Sequence, residues 1–313
     1  MSIIDVRQPG LFTTVQDLGR EGYGPLGVSP SGAADAVALR LGNRLVANEP
    51  GAAALEMTLL GGAFTFRDDG VAALTGSDFG ATLDGANVTP WMSFVVRAGS
   101  TLRVGPTRSG ARSYLCVHGG ILVRPFLGSA STHVMTGLGG LEGRALRQGD
   151  QLTVGAGSAA FRKRTVSRGV LEKLAPRKVL RVTAGEQSEW FPESSRRALF
   201  ESAYRVLEQS NRMGIRLDGP PIVGESGGEM ITEGVALGAI QVPAGGLPII
   251  LFVEQQTTGG YPKIANVVSA DIASLGQLRP RDDVRFERVD FDAARVLWIE
   301  QERLVTARET ILE

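Results

Sequence analysis

The sequence FTFRDDGVAALTGSDFGATLDGANVTPWMSFVVRAGSTLRV, residues 64–104, alternates short apolar or β-branched runs with Gly, Asp, Asn and Pro. We predict strands at Phe64–Phe66, Val71–Leu74, Ala81–Leu83, Ser93–Val96 and Thr101–Val104. Many short strands at close spacing favour a barrel or a sandwich over a winding of alternating strands and helices.

The residues that follow continue this pattern. Tyr114–Val117 reads as another strand. The pairs Asp84-Gly85 and Ser109-Gly110 have the composition of hairpin turns. The first half therefore reads as a run of turn-linked strands.

One helix precedes the strands. Val37, Leu41 and Leu45 recur at every fourth position and give one apolar face, which predicts a helix from about Ala33 to Val46. Ser31 is the predicted N-cap.

The second half is again mainly strands, with three helices. We predict strands at Val179–Thr183, Tyr204–Leu207, Ile231–Glu233, Ala239–Val242, Ile249–Val253 and Val284–Arg288, and helices at Glu193–Glu201, Ser269–Gln277 and from Asp290 onward.

The two halves are joined by a small, basic and weakly patterned segment, Ala156 to Ala175, which we predict to be a linker. It separates a first domain, 1–160, from a second, 175–313, that ends in a helix. A faint echo, Leu146–Leu152 against Leu278–Val284, fits two related domains. A turn composition common to all β proteins fits it equally well.

The composition narrows the class of protein. The 313 residues carry 33 Lys plus Arg and 33 Asp plus Glu, so no net charge draws the chain to nucleic acid or to an anionic membrane. The single cysteine, Cys116, allows no internal disulfide. No signal peptide or apolar run of spanning length is visible. We expect a cytoplasmic protein with neither a nucleic-acid nor a membrane partner.

Familiar catalytic motifs are missing from the sequence. It has no phosphate-binding P-loop, no CxxC or HExxH metal motif, no GxSxG elbow and no biotin-attachment segment. The only histidines, His118 and His133, are too few and too far apart for a clear metal site, so we predict none. His118 has the residue type of a general base, although a lone histidine at a strand end is more often a packed one.

Two glycine-rich stretches concentrate polar side chains. The first is Thr13–Arg20, where such groups either fix a ligand or satisfy buried loop backbone. The second is Gln256–Pro262, QTTGGYP, which has donors and acceptors beside glycines that free the backbone. It resembles a loop that holds an amide or carboxylate through main-chain N–H groups, and a tight buried corner is the alternative.

These stretches match a known family. The residues that carry the match are Thr14–Arg20, Ser31–Asp35, Glu56, Gly119-Gly120, Gly128-Ser129, Gly149-Asp150, Arg212–Leu217, Glu233-Gly234, Gly238–Pro243, Gln256–Pro262, Ala270-Asp271 and Gln277–Pro280. Over nearly its whole length the chain resembles the C-type 5-oxoprolinase subunit, also described as allophanate hydrolase subunit 2 and as a biotin-dependent carboxyltransferase family protein.

The resemblance implies a mainly β fold with a few helices, arranged as two cyclophilin-like β-barrel domains. It implies a subunit-B-like (allophanate hydrolase subunit 1) partner and a subunit-A-like partner. Together they open 5-oxoproline to L-glutamate with ATP hydrolysis. ATP would act at the level of the complex. One alternative is a subunit of a carboxyltransferase or allophanate hydrolase for a urea-like amide, with biotin supplied in trans. Another is a non-catalytic regulator that binds a subunit-B-like kinase inhibitor.

The sequence departs from the family pattern at two places. Glu254-Gln255 stand where the family usually has Asp-Arg, and Arg281 replaces the usual glycine before Asp282. The first change lengthens a carboxylate side chain and removes a positive charge beside Gln256.

From residue type and motif position we predict two sets of functional residues for a small amide or lactam substrate. The acid–base candidates are Asp17, His118 and Glu233. The substrate-binding candidates are Arg20, Arg212, Gln241, Gln256, Thr257, Thr258, Gly259, Gly260 and Tyr261.

Overall fold

The computed structural model describes residues 1–156, 162–224 and 230–313. The chain forms two compact units. Unit 1 comprises Met1–Arg20, Ser31–Leu174 and Leu304–Glu313, and unit 2 comprises Glu21–Pro30 and Ala175–Arg303. The prediction of a mainly β fold with a few helices is confirmed.

Unit 1 contains two larger sheets and one short ribbon. Its strands are β1 (Ser2–Gln8), β2 (Phe12–Gln16), β3 (Ala54–Thr58), β4 (Ala63–Phe66), β5 (Gly70–Gly76), β6 (Thr82–Leu83), β7 (Ala86–Asn87), β8 (Ser93–Val96), β9 (Thr101–Arg103), β10 (Arg112–Val117), β11 (Ile121–Leu122), β12 (Gln151–Val154), β13 (Thr165–Val166) and, from the C-terminus, β23 (Ile311–Leu312). Its helices are α1 (Ala36–Leu45) and α2 (Arg168–Lys173).

The sheets of unit 1 enclose one apolar core. One sheet has the order β11-β12-β1-β4-β9-β6-β7 and the other β2-β3-β10-β5-β8, while β13 pairs with β23. Alternate residues of these strands, such as Ile4, Val6, Leu55, Phe64 and Leu115, are fully buried together. Burying a side chain of this size contributes about 1.5–3 kcal/mol, so this core stabilises the unit.

Unit 2 contains a closed seven-stranded barrel and a separate two-stranded ribbon. Its strands are β14 (Val179–Ala184), β15 (Tyr204–Val206), β16 (Gly214–Asp218), β17 (Glu233–Gly234), β18 (Ala239–Gln241), β19 (Ile249–Leu251), β20 (Thr258–Gly259), β21 (Lys263–Val267) and β22 (Asp283–Arg288). Its helices are α3 (Glu193–Glu201), α4 (Ile272–Leu275) and most of α5 (Phe291–Thr306).

The barrel of unit 2 closes in the order β14-β21-β18-β19-β16-β15-β22, and β17 pairs only with β20. Leu180, Ile240, Ile250 and Phe286 are among the residues that fill the barrel core. Tyr204 packs against Phe286 with their ring centroids 5.9 Å apart. Aromatic pairs at this distance add to the stability that area burial provides.

Three local predictions need correction or completion. Asp35, not Ser31, caps α1, because the Asp35 carboxylate accepts the Ala38 N–H at 2.9 Å. Ser109-Gly110 is not a hairpin turn, since β9 and β10 pair with other strands and not with each other. In the predicted linker, residues 162–174 belong to unit 1 and carry β13 and α2, while residues 157–161 lie outside the described residues.

Candidate functional site

The ribbon of β17 and β20 assembles several of the predicted site residues in unit 2. Glu233 lies opposite Gly259, and Gly234 lies opposite Thr258. Directly opposed Cα atoms in an antiparallel pair are roughly 4.5–5.5 Å apart. The predicted acid–base residue Glu233 and the predicted binding loop therefore meet in the described structure.

The Glu233 carboxylate is held by two donors. Lys263 Nζ and Gln187 Nε2 both donate to its Oε1 atom, the latter at 2.9 Å. These hydrogen bonds, that from Lys263 first, lower the pKa of the Glu233 carboxyl below its usual value. A carboxylate of low pKa remains ionised at neutral pH, so it is better suited to accept an N–H hydrogen bond than to remove a proton.

Gln241 lies beside Gly259. Its side chain is 1 % exposed, and its Nε2 atom has no hydrogen-bond partner among the described residues. A Cβ atom on Gly259 would lie only 2.5 Å from Gln241 Nε2. Glycine at this position therefore allows the buried Gln241 amide to pack directly against the backbone of the loop.

The remaining residues of the binding loop differ in exposure. Gln256, Thr258 and Tyr261 are exposed, whereas Thr257 and Gly260 are half-buried. Gln256 Nε2 approaches Gln241 Oε1 at 3.5 Å, the outer limit of a hydrogen bond. Of the exposed side chains of this loop, that of Gln256 therefore reaches the buried Gln241 amide.

Arg212 is paired within the protein. Its Nε atom donates to Glu254 Oε1 at 2.5 Å, and both side chains are almost fully buried. The longer carboxylate noted from the sequence is therefore the counter-ion of the predicted anion holder. Gln255, with its amide oriented to satisfy both ends, donates to Ala236 O and accepts the Leu237 N–H. Gln255 thus stabilises the backbone that follows β17.

A small cavity of about 130 Å³ lies beside the same strands. Phe191, Pro221, Val223, Pro243 and Pro262 are among the residues that line it. Val242 also lines it, whereas Gln241, its neighbour in the chain, is not among the lining residues. The cavity is therefore a mainly apolar space that does not include Gln241.

In unit 1 the predicted loop residue Asp17 is saturated with hydrogen bonds. Its carboxylate accepts the Gly19 and Ala130 N–H groups at 2.7 and 2.6 Å and the hydroxyls of Ser129 and Ser131 at 2.7 and 2.5 Å. Four donors on one carboxylate fix the chain at 129–131 to the end of β2. This geometry suits a structural role.

Arg20 belongs to the same cluster. It donates to the Ser131 carbonyl, its guanidinium lies 5.5 Å from the centroid of the Phe126 ring, and it is 3 % exposed. Asp17 and Arg20, predicted as partners of a ligand, are thus brought together around the Ser129–Ser131 segment. There they hold one loop against another.

His118 belongs to a different cluster. Its Nδ1 atom bonds to the Val46 carbonyl at 2.7 Å, and the neighbouring Gly119 N–H donates to Asn48 Oδ1 at 2.8 Å. These bonds lead to the C-terminal end of α1 and not to Asp17. The Nε2 atom of His118 is buried and has no hydrogen-bond partner among the described residues.

Two polar residues of the site, Lys263 and Gln187, are not among those predicted from the sequence. Lys263 begins β21, where Lys263, Ala265 and Val267 alternate along the strand and are all buried. A lysine that takes the place of an apolar residue in such an alternating pattern is the sequence feature by which Lys263 could have been found. Gln187 follows β14 in a turn and carries no comparable signal.

Within residues 1–156, 162–224 and 230–313, no group of three or more His, Cys, Asp or Glu side chains could hold a metal ion. No helix in these ranges is both long and apolar enough to cross a bilayer.

Comparison with known proteins places this geometry in context. Residues 26–288 match the family model described as carboxyltransferase domain, subdomain A and B. The chain is 38% identical over 301 residues to the C-type 5-oxoprolinase subunit of Escherichia coli, covering 96% of both chains. It is 34% identical to the urea amidolyase of Saccharomyces cerevisiae, covering 94% of this chain and 17% of that one.

Solved structures agree with these relatives. The crystal structure of the Kluyveromyces lactis urea amidolyase superposes with a TM-score of 0.90 at 32% identity, covering 99% of this chain and 21% of that one. The crystal structure of TTHA0988 superposes with a TM-score of 0.82 at 38% identity, covering 92% of this chain. The chain spans 55% of TTHA0988.

Proposed function

The chain belongs to the family of the carboxyltransferase domain, subdomain A and B, and from this premise we propose that it is a subunit of an ATP-dependent 5-oxoprolinase. The complex opens the lactam ring of 5-oxoproline to L-glutamate. In it the chain acts as a hydrolase subunit, together with subunit-B-like and subunit-A-like partners, in the cytoplasm.

The observation that carries this proposal is the extent of the match to oxoprolinase subunits. The two C-type relatives, from Escherichia coli and Haemophilus influenzae, are 38% and 35% identical and are covered over 96% and 94% of their lengths. The urea amidolyases are matched over 17% and 18% of theirs. The likeness to the C-type oxoprolinase subunits thus extends over nearly whole chains.

The unit 2 site supplies groups suited to a small amide. A lactam has an N–H and a carbonyl on the same edge of the ring. Glu233, ionised and partly exposed, accepts the substrate N–H, and Gln241 Nε2 donates to the carbonyl oxygen beside Gly259. Gln256, Thr257, Thr258, Gly260 and Tyr261 surround the ligand.

We place ATP on another chain of the complex. The two arginines predicted to hold anions are engaged, Arg212 with Glu254 and Arg20 with the Ser131 carbonyl. The sequence also lacks a P-loop. Arg20 and Arg212 therefore do not fit a triphosphate. In this proposal, the role of this chain is to bind and orient the lactam.

Reconstitution tests the proposal. The chain, co-purified with its subunit-B-like and subunit-A-like partners, is expected to release glutamate from 5-oxoproline only when ATP is present. Gln241→Ala is expected to raise KM, because it removes a donor to the carbonyl. A matched control, Gln301→Ala, removes a glutamine whose Nε2 atom donates to the Ala270 carbonyl, and should leave KM unchanged. A complete complex without turnover would refute the function.

Carboxyl transfer to a urea-like amide is the second candidate. The superposition on the Kluyveromyces lactis urea amidolyase, with a TM-score of 0.90, favours it. Here carboxybiotin would be supplied in trans by a biotinylated carrier, and the same donor and acceptor pair would hold the urea. Urea-dependent loss of carboxyl from such a carrier, with no 5-oxoproline turnover, would select this function over the first.

A further inference from the structure

Lys263 is the most deeply buried charged side chain of the unit 2 site. It is 1 % exposed, and its Nζ atom donates to Glu233, whose side chain is 42 % exposed. A buried ammonium group costs several kcal/mol of desolvation unless it is paired, so a lysine here has an energetic reason to hold its partner in one place. The pair joins a rigid barrel strand, β21, to the ribbon strand β17.

Gln187 completes the arrangement. Its Nε2 atom donates to Glu233 Oε1 at 2.9 Å, and its Oε1 atom accepts the Lys263 backbone N–H at 3.1 Å. Its own backbone N–H donates to the Lys263 carbonyl at 3.2 Å. Gln187 is thus fixed to Lys263 by two bonds and to Glu233 by a third.

Both donors act on the same oxygen of Glu233. Within the described residues, no donor bonds to the second oxygen, Oε2, and the carboxylate lies at the partly exposed edge of the ribbon. A two-stranded ribbon has little stability of its own, so its side chains need an external anchor to keep one direction. Lys263 and Gln187 provide that anchor.

We propose that Lys263 is a positioning residue of the site. Together with Gln187 it fixes the Oε1 atom of Glu233, so that Oε2 is presented to the amide N–H of a lactam or ureide substrate. This inference rests on the proposed function for the nature of the substrate. The fixing of Glu233 itself is a property of this chain alone.

The first test uses the chain without partners. NMR titration of the Glu233 side-chain carboxyl, with Lys263→Met and Lys263→Arg compared to the unsubstituted protein, reports whether Lys263 holds this group. Lys263→Met leaves a partly exposed carboxylate and removes a buried charge, so the fold is expected to persist. We expect the Glu233 titration to move to higher pH in Lys263→Met and to stay nearer its original position in Lys263→Arg.

The second test uses the reconstituted complex and 5-oxoproline. Lys263→Met is expected to lower kcat/KM by roughly 10- to 100-fold, the loss expected when a hydrogen bond to a charged group is removed. Lys263→Arg should recover part of that loss. The matched control, Lys178→Met, breaks the 2.8 Å pair of Lys178 with Asp282 elsewhere in unit 2 and should leave kcat/KM unchanged.

The outcomes separate the two proposals. An unsubstituted complex that does not turn over 5-oxoproline refutes the proposed function, and the titration still decides whether Lys263 fixes Glu233. An active complex in which Lys263→Met keeps the original kcat/KM and pH profile overturns the positioning role. An unchanged Glu233 titration in a folded Lys263→Met protein also overturns it.

Discussion

Asp150 and Asp282 hold equivalent turns in the two units through the same hydrogen bonds. The Asp150 carboxylate accepts the Arg147 N–H at 2.7 Å, and the Asp282 carboxylate accepts the Arg279 N–H at 2.9 Å. Each aspartate also donates its backbone N–H to the carbonyl of that arginine, at 3.2 and 3.1 Å. In both turns, the aspartate is therefore joined to the arginine three positions before it by the same two hydrogen bonds.

The equivalence extends to the neighbouring strand. Val6 N–H donates to the Asp150 carbonyl and Val206 N–H to the Asp282 carbonyl, both at 2.9 Å. In return, Gly149 and Arg281 donate to the carbonyls of Val6 and Val206, at 2.9 and 2.8 Å. A shared turn composition explains the hydrogen bonds between aspartate and arginine within each turn. It does not explain why both turns form the same hydrogen bonds with a neighbouring strand. The faint sequence echo therefore marks a structural repeat.

The repeat identifies Arg281 as a strained position. Its φ of 73° corresponds to the φ of 91° at Gly149, a region that costs a residue with a side chain roughly 1–2 kcal/mol. Arg281→Gly is expected to raise the free energy of unfolding by roughly 1 kcal/mol in urea denaturation. The exposed Arg281–Glu208 pair that it removes contributes little.

Glu208→Gln serves as the control for that lost pair and should leave stability nearly unchanged. The reverse substitution, Gly149→Ala, has open space around it but a positive φ, so it should destabilise unit 1. A less stable Arg281→Gly protein would show that φ at this turn carries no strain.

The same two aspartates predict a response to acid. At Asp150, the hydrogen bond from the Arg144 side chain outweighs the effect of burial and lowers the pKa of the carboxyl below 3.8. At Asp282, burial raises the pKa of the carboxyl, but the hydrogen bonds from Lys178 and Arg279 outweigh burial, so that the pKa is again lowered. A depressed folded-state pKa contributes stability that is present above the unfolded value and is lost as the pH falls through the folded value.

Asp150→Asn and Asp282→Asn should therefore each lower stability at neutral pH and reduce the fall of stability below pH 3.8. Unfolding midpoints measured across that pH range test this. Asp283→Asn, at an exposed pair with Arg205, is the control and should change the profile much less. Equal profiles for all three variants would contradict the assignment.

How far the sequence predicts the fold depends on whether the signal is local. The helix Glu193–Glu201 and the strand Ser93–Val96 have the bounds that the sequence predicts, and Asp84-Gly85 forms the expected hairpin turn with φ of 48° and 86°. These features rest on adjacent residues. The predicted N-cap of α1 is wrong because Ser31 and Asp35 are both good capping residues, and tertiary contacts of the loop decide between them.

The site is predictable only where polar residues cluster in the chain. The composition of the Gln256–Tyr261 loop marks it, and its pairing with Glu233 follows from the ribbon. Lys263 and Gln187 are 76 residues apart and meet because β14 pairs with β21. The engagement of Arg212 by Glu254 likewise depends on a contact across 42 residues, which no local pattern encodes.

The close packing of Gly259 against Gln241 predicts that a larger residue at position 259 disturbs the proposed ligand site. In Gly259→Ala the new Cβ atom would lie 2.5 Å from Gln241 Nε2, so the amide must move from its position. Since this atom is the end of a flexible side chain, the fold should survive while KM for 5-oxoproline rises in the reconstituted complex. Gly234→Ala in the same ribbon meets open space and is the matched control. Equal KM values for both variants would exclude Gln241 from the site.

The buried hydroxyl of Tyr204 predicts a loss of stability at alkaline pH. Burial raises the pKa of its hydroxyl to about 12, from an unfolded value of 10.0. Its contribution is present below pH 10 and is lost as the pH rises towards 12, because the unfolded chain ionises first. Tyr204→Phe should flatten the fall of stability in this window, as followed by denaturation at a series of pH values. Tyr261→Phe, at an exposed ring, should not.

Substitution of Asp17 distinguishes a structural role of its carboxylate from a catalytic one. Its residue type and motif position predict an acid–base group, yet it accepts four hydrogen bonds from the loops it joins. Asp17→Asn keeps the size but turns an N–H₂ group towards donors, and we expect it to lower the free energy of unfolding by roughly 1.5–3 kcal/mol. Ser129→Ala removes one donor and should cost less.

If the carboxylate is structural, the loss of turnover in Asp17→Asn follows the loss of folded protein, and the pH profile of the remaining activity is unchanged. A general base behaves differently, because its amide variant folds normally and loses turnover at every pH. Measuring urea unfolding and the pH dependence of kcat/KM on the same preparation distinguishes the two. A stable, inactive Asp17→Asn protein would return Asp17 to the catalytic machinery, since only a role in the reaction explains lost turnover without lost stability.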